Sequence, residues 1–158
     1  SAHGWHSAAP SITLADPQSD AGRALLGASH ALMQSLYPAE ANHYLSIEAL
    51  CAPHIRFYVA KAGDAALGCV ALANMGHYGE VKSLFVDPTL RAAGTGAALM
   101  AHLEAAARRE NLSQLCLETG DTLYAAHQLS TRCGFALCGP FGDYTEGPHS
   151  VFMQKRLS

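Results

Sequence analysis

Apolar and polar positions recur along this chain with two periods, and each change of period marks an element. Ser11 to Ala15 is a short apolar stretch closed by Asp16-Pro17, which predicts a strand. Leu25, Leu26, Ala28, Leu32, Met33 and Leu36 then recur at helical spacing behind Ser19 and Asp20, either of which can cap a helix. Tyr37-Pro38 ends that helix, because a residue before proline is driven out of the α region. A second short helix fits Leu45 to Leu50 and is stopped by Pro53. Ile55 to Lys61 and Ala66 to Ala73 read as strands around the turn Ala62-Gly63-Asp64-Ala65, since Gly and Asp tolerate turn backbone angles. Gly76 and Gly79 bracket the connection into a further strand, Glu80 to Val86.

The second half is more regular. Leu99, Met100, Leu103, Ala106 and Ala107 lie along one side of a helix predicted over Thr95 to Arg109, with Arg108 and Arg109 near its negative end. Leu115 to Leu117 is a brief buried strand, and Thr122 to Cys133 a helix stopped by Gly134-Phe135. Phe135 to Leu137 and Ser150 to Gln154 are the last strands. The order βααβββαβαββ alone supports a single domain of α/β or α+β class.

Composition narrows the function classes. The chain has 158 residues, 49% of them hydrophobic, and a net charge of -3, so the basic footprint of a nucleic-acid binder is missing. No apolar run approaches the ~20 residues of a membrane span, and SAHGWHSAAP lacks the regions of a signal peptide. A cytoplasmic protein is expected, with residues 1–10 as a flexible tail and residues 11–158 as the domain. Cys51, Cys69, Cys116, Cys133 and Cys138 form an odd set without C-x-x-C or paired metal spacing, which argues for reduced, buried thiols. The scattered histidines, among them His30, His54, His102 and His127, suggest no metal site.

Chemistry concentrates between Glu80 and Gly120. Arg91, Gly94 and Gly96 form an R-x-x-G-x-G turn between an apolar strand that ends at Asp87-Pro88 and a long helix. The first N–H groups of a helix lack intrahelical acceptors and carry the positive end of its dipole, so a pyrophosphate can dock there, and glycine allows close backbone approach. The P-loop and dinucleotide fingerprints are both absent.

The run Arg91-Ala92-Ala93-Gly94-Thr95-Gly96 resembles the acyl-CoA-binding core of the GNAT N-acetyltransferase superfamily, whose signature at a strand-to-helix junction is Gln or Arg, x-x-G-x, then Gly or Ala. The element order matches that family over nearly the whole chain. The resemblance implies a mixed α/β fold: a largely antiparallel sheet of about seven strands, splayed between the fourth and fifth so that a thioester can enter, with four flanking helices. It also implies acetyl-CoA as co-substrate, with its pyrophosphate on Ala92 to Gly96, charge from Arg91, and its pantetheine arm on the backbone of Leu84, Phe85 and Val86. An N–H of that strand would polarise the thioester carbonyl. Ser130 and Arg132 are expected to contact CoA as well.

Acetyl transfer needs a neutral amine, whose conjugate acid has a pKa of ~10.4 when it resembles lysine, so a base is required. Glu80 opens the fourth strand at the offset from Arg91 where several members of the family place a glutamate base, on the same parity as Lys82 and Leu84 unless a bulge intervenes. Glu118, in the run Leu117-Glu118-Thr119-Gly120, is its rival. Many members protonate the thiolate with a tyrosine in L-Y-x-x-x-G-F; here Ser130 holds that position, and a serine is a far weaker acid. Water, Tyr124 or Tyr144 could substitute, or catalysis could be lost.

The acceptor wall is expected from the runs Tyr37 to Leu45 and Gly139 to Met153, which look like a small bacterial subgroup with L-Y-P-x-E-x-N-H, L-E-T-G and G-P-F-x-D-Y blocks. Glu40, His43, Asp143 and Tyr144 suit a small polar amine. The expected function is therefore direct acetyl transfer to a small-molecule amine in a ternary complex. A CoA-binding sensor with weak or no catalysis, and an acetyltransferase of protein lysines or N-termini, are the alternatives. Family habit makes a homodimer plausible.

Overall fold

The computed structural model describes residues 10–90 and 94–158. Their strands form one sheet in the order β1-β2-β3-β4-β5-β7-β6, with β1 Ser11–Leu14, β2 Ile55–Ala62, β3 Ala65–Asn74, β4 Gly79–Val86, β5 Gln114–Gly120, β6 Ala136–Cys138 and β7 Ser150–Arg156. Helices α1 Asp20–Leu36, α2 Ile47–Leu50, α3 Thr95–Arg109 and α4 Tyr124–Arg132 cover it, with a short 3-10 turn at Ala39–Ala41. Only β4 and β5 pair in parallel; the other ladders are antiparallel. The expected fold class and element order hold.

The ends shift by a few residues, for local and non-local reasons. Helix α2 starts at Ile47 because Ser46 caps it, its hydroxyl accepting from the Ala49 N–H at 3.1 Å. Strand β5 outruns its apolar core because β7 pairs with it along its whole length, from Gln114 opposite Arg156 to Gly120 opposite Ser150.

Both faces of the sheet are packed. Leu99, Leu103 and Ala107 of α3 meet Val70, Leu72, Leu115 and Leu117 on one face. Leu25 and Leu26 of α1 and Leu50 of α2 meet Phe57, Val59, Cys69 and Ala71 on the other. Strand β3 faces both layers, so it reads as a continuous apolar run rather than an alternating one.

Strand β4 is irregular, and the irregularity shapes the site. Cys69 pairs with Phe85 and Ala71 with Lys82, which leaves Ser83 and Leu84 opposite Val70 alone. Ser83 absorbs this bulge at φ +54. The extra residue inverts the alternation: Val81, Leu84 and Val86 pack on the α3 side, whereas Phe85 joins the α1 side. Glu80 therefore shares its face with Lys82 but not with Leu84.

Strands β4 and β5 also part. Their ladder holds only at Gly79 with Leu115, Glu80 with Cys116 and Val81 with Leu117, although β4 continues to Val86 and β5 to Gly120. Beyond Val81 the sheet opens into a wedge.

Candidate active site

The wedge is a cleft with about 820 Å³ of empty volume counted out to solvent. Val81 to Leu84 form one wall and Leu117 to Gly120 the other. Ser29 and Met33 of α1, then Tyr37, His43 and Tyr44, cover it on the α1 side, while Leu123, just before α4, and Ala126 and Ser130 of α4 line it from the other.

Next to the cleft lies a buried polar cluster. The Lys82 ammonium donates to Glu80 Oε2 at 3.1 Å, to the Tyr144 hydroxyl at 2.7 Å and to the His43 carbonyl at 3.1 Å, which uses all three of its protons. Tyr144 in turn donates to Glu80 Oε2 at 2.6 Å. Glu80 is 6% exposed and does not line the cleft, whereas Lys82 and His43 do. Burial pushes the Tyr144 phenol far above its ordinary pKa, and its hydrogen bond to Glu80 and that carboxylate's charge push it further. The Tyr144 ring packs edge-on to His43 at 5.4 Å and to Phe141 at 5.0 Å.

Glu118 faces the same space from β5. Burial raises its carboxyl pKa, opposed by a hydrogen bond with Ser150 and by the charges of His43 and Lys82. A carboxylate whose charge is penalised by its surroundings is one that a bound ammonium relieves.

Two of the sequence blocks meet at the end of β5. Tyr37, 6% exposed, makes a 2.6 Å hydrogen bond with Thr122 Oγ1 and accepts from the Thr122 N–H at 3.1 Å. Its ring lies so close to Gly120 that a Cβ there would sit 2.1 Å from the Tyr37 hydroxyl oxygen. The glycine of L-E-T-G is thus required by the tyrosine of L-Y-P.

At the start of α3, Gly94 takes φ +83, a backbone that favours glycine, and caps the helix without any side-chain bond. Gly96 has a different reason to be small: a Cβ there would come 2.7 Å from Leu129 of α4. Thr95 is 1% exposed and its Oγ1 has no hydrogen-bond partner among the described residues, so a polar group is held in reserve at this helix start. That fits an anion acceptor such as a pyrophosphate. Arg91, Ala92 and Ala93 lie outside the described residues.

The remaining expected residues scatter. Ser130 is 2% exposed and reaches the cleft, while Arg132, Glu40 and Asp143 lie on the surface away from its lining. Tyr124 is 69% exposed and also outside the lining. Burial pushes the Cys116 thiol up to about 11 and Cys69 to about 12, and raises Cys133 and Cys138 too. Lys82 and Asp121 are given no role by the sequence reading, and Tyr37 and His149 enter it only as members of the two wall runs. Lys82 could have been given one, since opposite charges two apart on a half-buried strand share a face; the others become neighbours only through β5, β7 and the turn after α1.

Among the described residues no helix is long and apolar enough to cross a membrane. The sequence pattern of the acetyltransferase (GNAT) family matches residues 26–135. An IAA acetyltransferase of Azospirillum brasilense is 42% identical over 152 residues, which cover 94% of this chain and 99% of that one. A crystal structure from Klebsiella pneumoniae, described as a candidate acyl-CoA N-acyltransferase, superposes with a TM-score of 0.78 at 31% identity, covering 94% of this chain and 98% of its own. A Bacillus subtilis acetyltransferase in complex with CoA shares the fold at 17% identity, with a TM-score of 0.71 over 94% of this chain and 99% of that one. Because the family pattern spans most of the chain and the opened sheet agrees with it, the chain belongs to the GNAT family and is an acyl-CoA-dependent N-acetyltransferase with acetyl-CoA as its co-substrate.

Proposed function

We propose that the protein acetylates a primary amine of a small molecule by direct attack on acetyl-CoA in a ternary complex. The observation that carries this reading is the wedge beyond Val81, which offers one cleft to which β4 can present backbone and Glu118 can present charge. Acetyl-CoA supplies the activated acyl group; the chain supplies its placement. The α3 start, with the Thr95 hydroxyl and with Arg91 adding charge, holds the pyrophosphate, and the free edge of Leu84 to Val86 receives the pantetheine arm. Glu118 meets the acceptor ammonium. Glu80, closed off behind Lys82 and Tyr144, keeps those two side chains in position.

The thiolate takes its proton from water. Tyr124 faces away, and the Tyr144 phenol is made a weaker acid by its setting, so neither replaces the tyrosine whose place Ser130 occupies. A covalent acyl-cysteine is disfavoured because a thiol near 11 or 12 is almost wholly protonated at neutral pH.

The test is release of free CoA thiol from acetyl-CoA with a panel of amines, amino acids and lysine peptides. Release that depends on small amines, with Glu118→Gln raising the amine KM, supports the reading. Release with peptides alone points to protein acetylation. Stabilisation by acetyl-CoA without release points to a CoA-binding module. If Glu118→Gln keeps the amine kcat/KM while Glu80→Gln abolishes turnover, Glu80 is the base and the roles reverse.

A further inference from the structure

We infer that Asp121 and His149 form an acid–base pair on the acceptor side of the cleft, in which the His149 imidazole removes the proton that the acceptor ammonium must lose before attack. The inference rests on the acceptor reading given above. Neither residue belongs to the Glu80, Lys82, Tyr144 cluster.

The sheet brings the two together. Asp121 follows β5 and His149 precedes β7, whose ladder ends at Gly120 opposite Ser150, and the Asp121 N–H donates to the His149 carbonyl at 2.9 Å. The His149 Nδ1 and Asp121 Oδ1 atoms lie 3.4 Å apart. Both atoms are buried, and neither makes a hydrogen bond among the described residues, so each is an unsatisfied polar atom facing the other. A small turn of the ring would let the two satisfy each other, and only with the proton on the nitrogen, which would set the Nδ1–H tautomer and leave the Nε2 lone pair free. The side chain as a whole is 38% exposed and lines the cleft, so its accessible portion excludes Nδ1. The Tyr37 ring, itself pinned to Thr122, packs at 5.5 Å and restrains the imidazole. His43 also lines the cleft, but among the described residues no ion-pair contact within 4 Å joins its ring to a carboxylate, as Asp121 approaches that of His149.

The step balances without another reagent. The ammonium gives one proton to Nε2, and its lone pair forms the N–C bond to the thioester carbonyl. The C–S bond breaks with its electron pair on sulfur, the second nitrogen proton reaches the thiolate through water, and the imidazolium loses its proton to solvent. The Asp121 carboxylate stabilises the imidazolium in between.

Two measurements decide the matter. In the thiol-release assay, His149→Ala is expected to lose about 10²- to 10⁴-fold in kcat/KM for the amine. Its stabilisation by acetyl-CoA should persist, and added imidazole should restore part of the rate. Asp121→Asn should lower kcat with little change in KM. Separately, histidine ¹⁵N NMR of the wild type should show neutral His149 as the Nδ1–H tautomer, and Asp121→Asn should release that preference. Retention of kcat/KM within about threefold in His149→Ala, or an Nε2–H tautomer in the wild type, overturns the proposal. If the wild type acetylates no amine at all, the acceptor reading fails, while the tautomer still decides whether the pair exists.

Discussion

Gly120→Ala is the substitution whose cost follows most directly from the structure. The added Cβ would lie 2.1 Å from the Tyr37 hydroxyl oxygen, 2.3 Å from its Cζ and 2.7 Å from its Cε2, all well inside the contact distance of ~3.5–4 Å. The ring cannot stay, and when it moves it gives up its bonds to Thr122 Oγ1 and N–H. Two hydrogen bonds at about 0.5–1.5 kcal/mol each, plus about 1–3 kcal/mol for overpacking, give a destabilisation of about 2–6 kcal/mol. At about 2–4 °C per kcal/mol for a chain of this size, the midpoint should fall by roughly 4–24 °C. Urea and thermal unfolding of Gly120→Ala, Tyr37→Leu and the double variant would measure it. Tyr37→Leu alone should cost several kcal/mol, roughly as other buried truncations do, but Gly120→Ala should then add less than about 1 kcal/mol because the obstructing ring is gone. The reasoning is refuted if Gly120→Ala is as stable as the wild type, or if the two costs add within about 0.5 kcal/mol.

Other outcomes follow from the same structure. Gly94→Val places a β-branched residue at φ +83 and should lower stability by about 1–3 kcal/mol while abolishing the thermal shift produced by acetyl-CoA; an unchanged shift would remove Gly94 from the donor site. Glu118 has a folded pKa raised above its ordinary 4.5, so its favourable contribution is complete below that pH and is lost as pH rises through the folded value. Glu118→Gln, which does not titrate, should match the wild type in stability near pH 4 and gain on it as pH climbs; thermal unfolding across pH checks this, and a gap independent of pH would contradict the burial of that charge.

Much of the fold was legible because its signals are local. The helical spacing behind Ser19, the Gly63-Asp64 turn and the glycine-led start of α3 each depend on neighbours within a few residues, and each forms where the pattern puts it. The R-x-x-G-x-G run identified the family for the same reason: a backbone conformation at Gly94 leaves its mark on the residue type. The site was legible only in part. Glu80, Glu118, His43, Ser130 and Tyr144 do gather around the β4–β5 opening, but Glu40 and Asp143, taken from the same two wall runs as His43 and Tyr144, stay on the surface.

Local pattern was enough for the order of elements, the glycine-capped helix start and the membership of a family that handles acetyl-CoA, since periodicity, capping and turn chemistry act over short stretches of chain. The tertiary structure alone decided the bulge at Ser83, which turned Leu84 away from the face of Glu80, and the three-pair limit of the β4–β5 ladder, which opened the cleft. It also decided that Tyr37 needs Gly120 and that Asp121 meets His149. Strand register and side-chain contact between segments tens of residues apart are set by the packing of the whole sheet, and no single stretch of sequence encodes them.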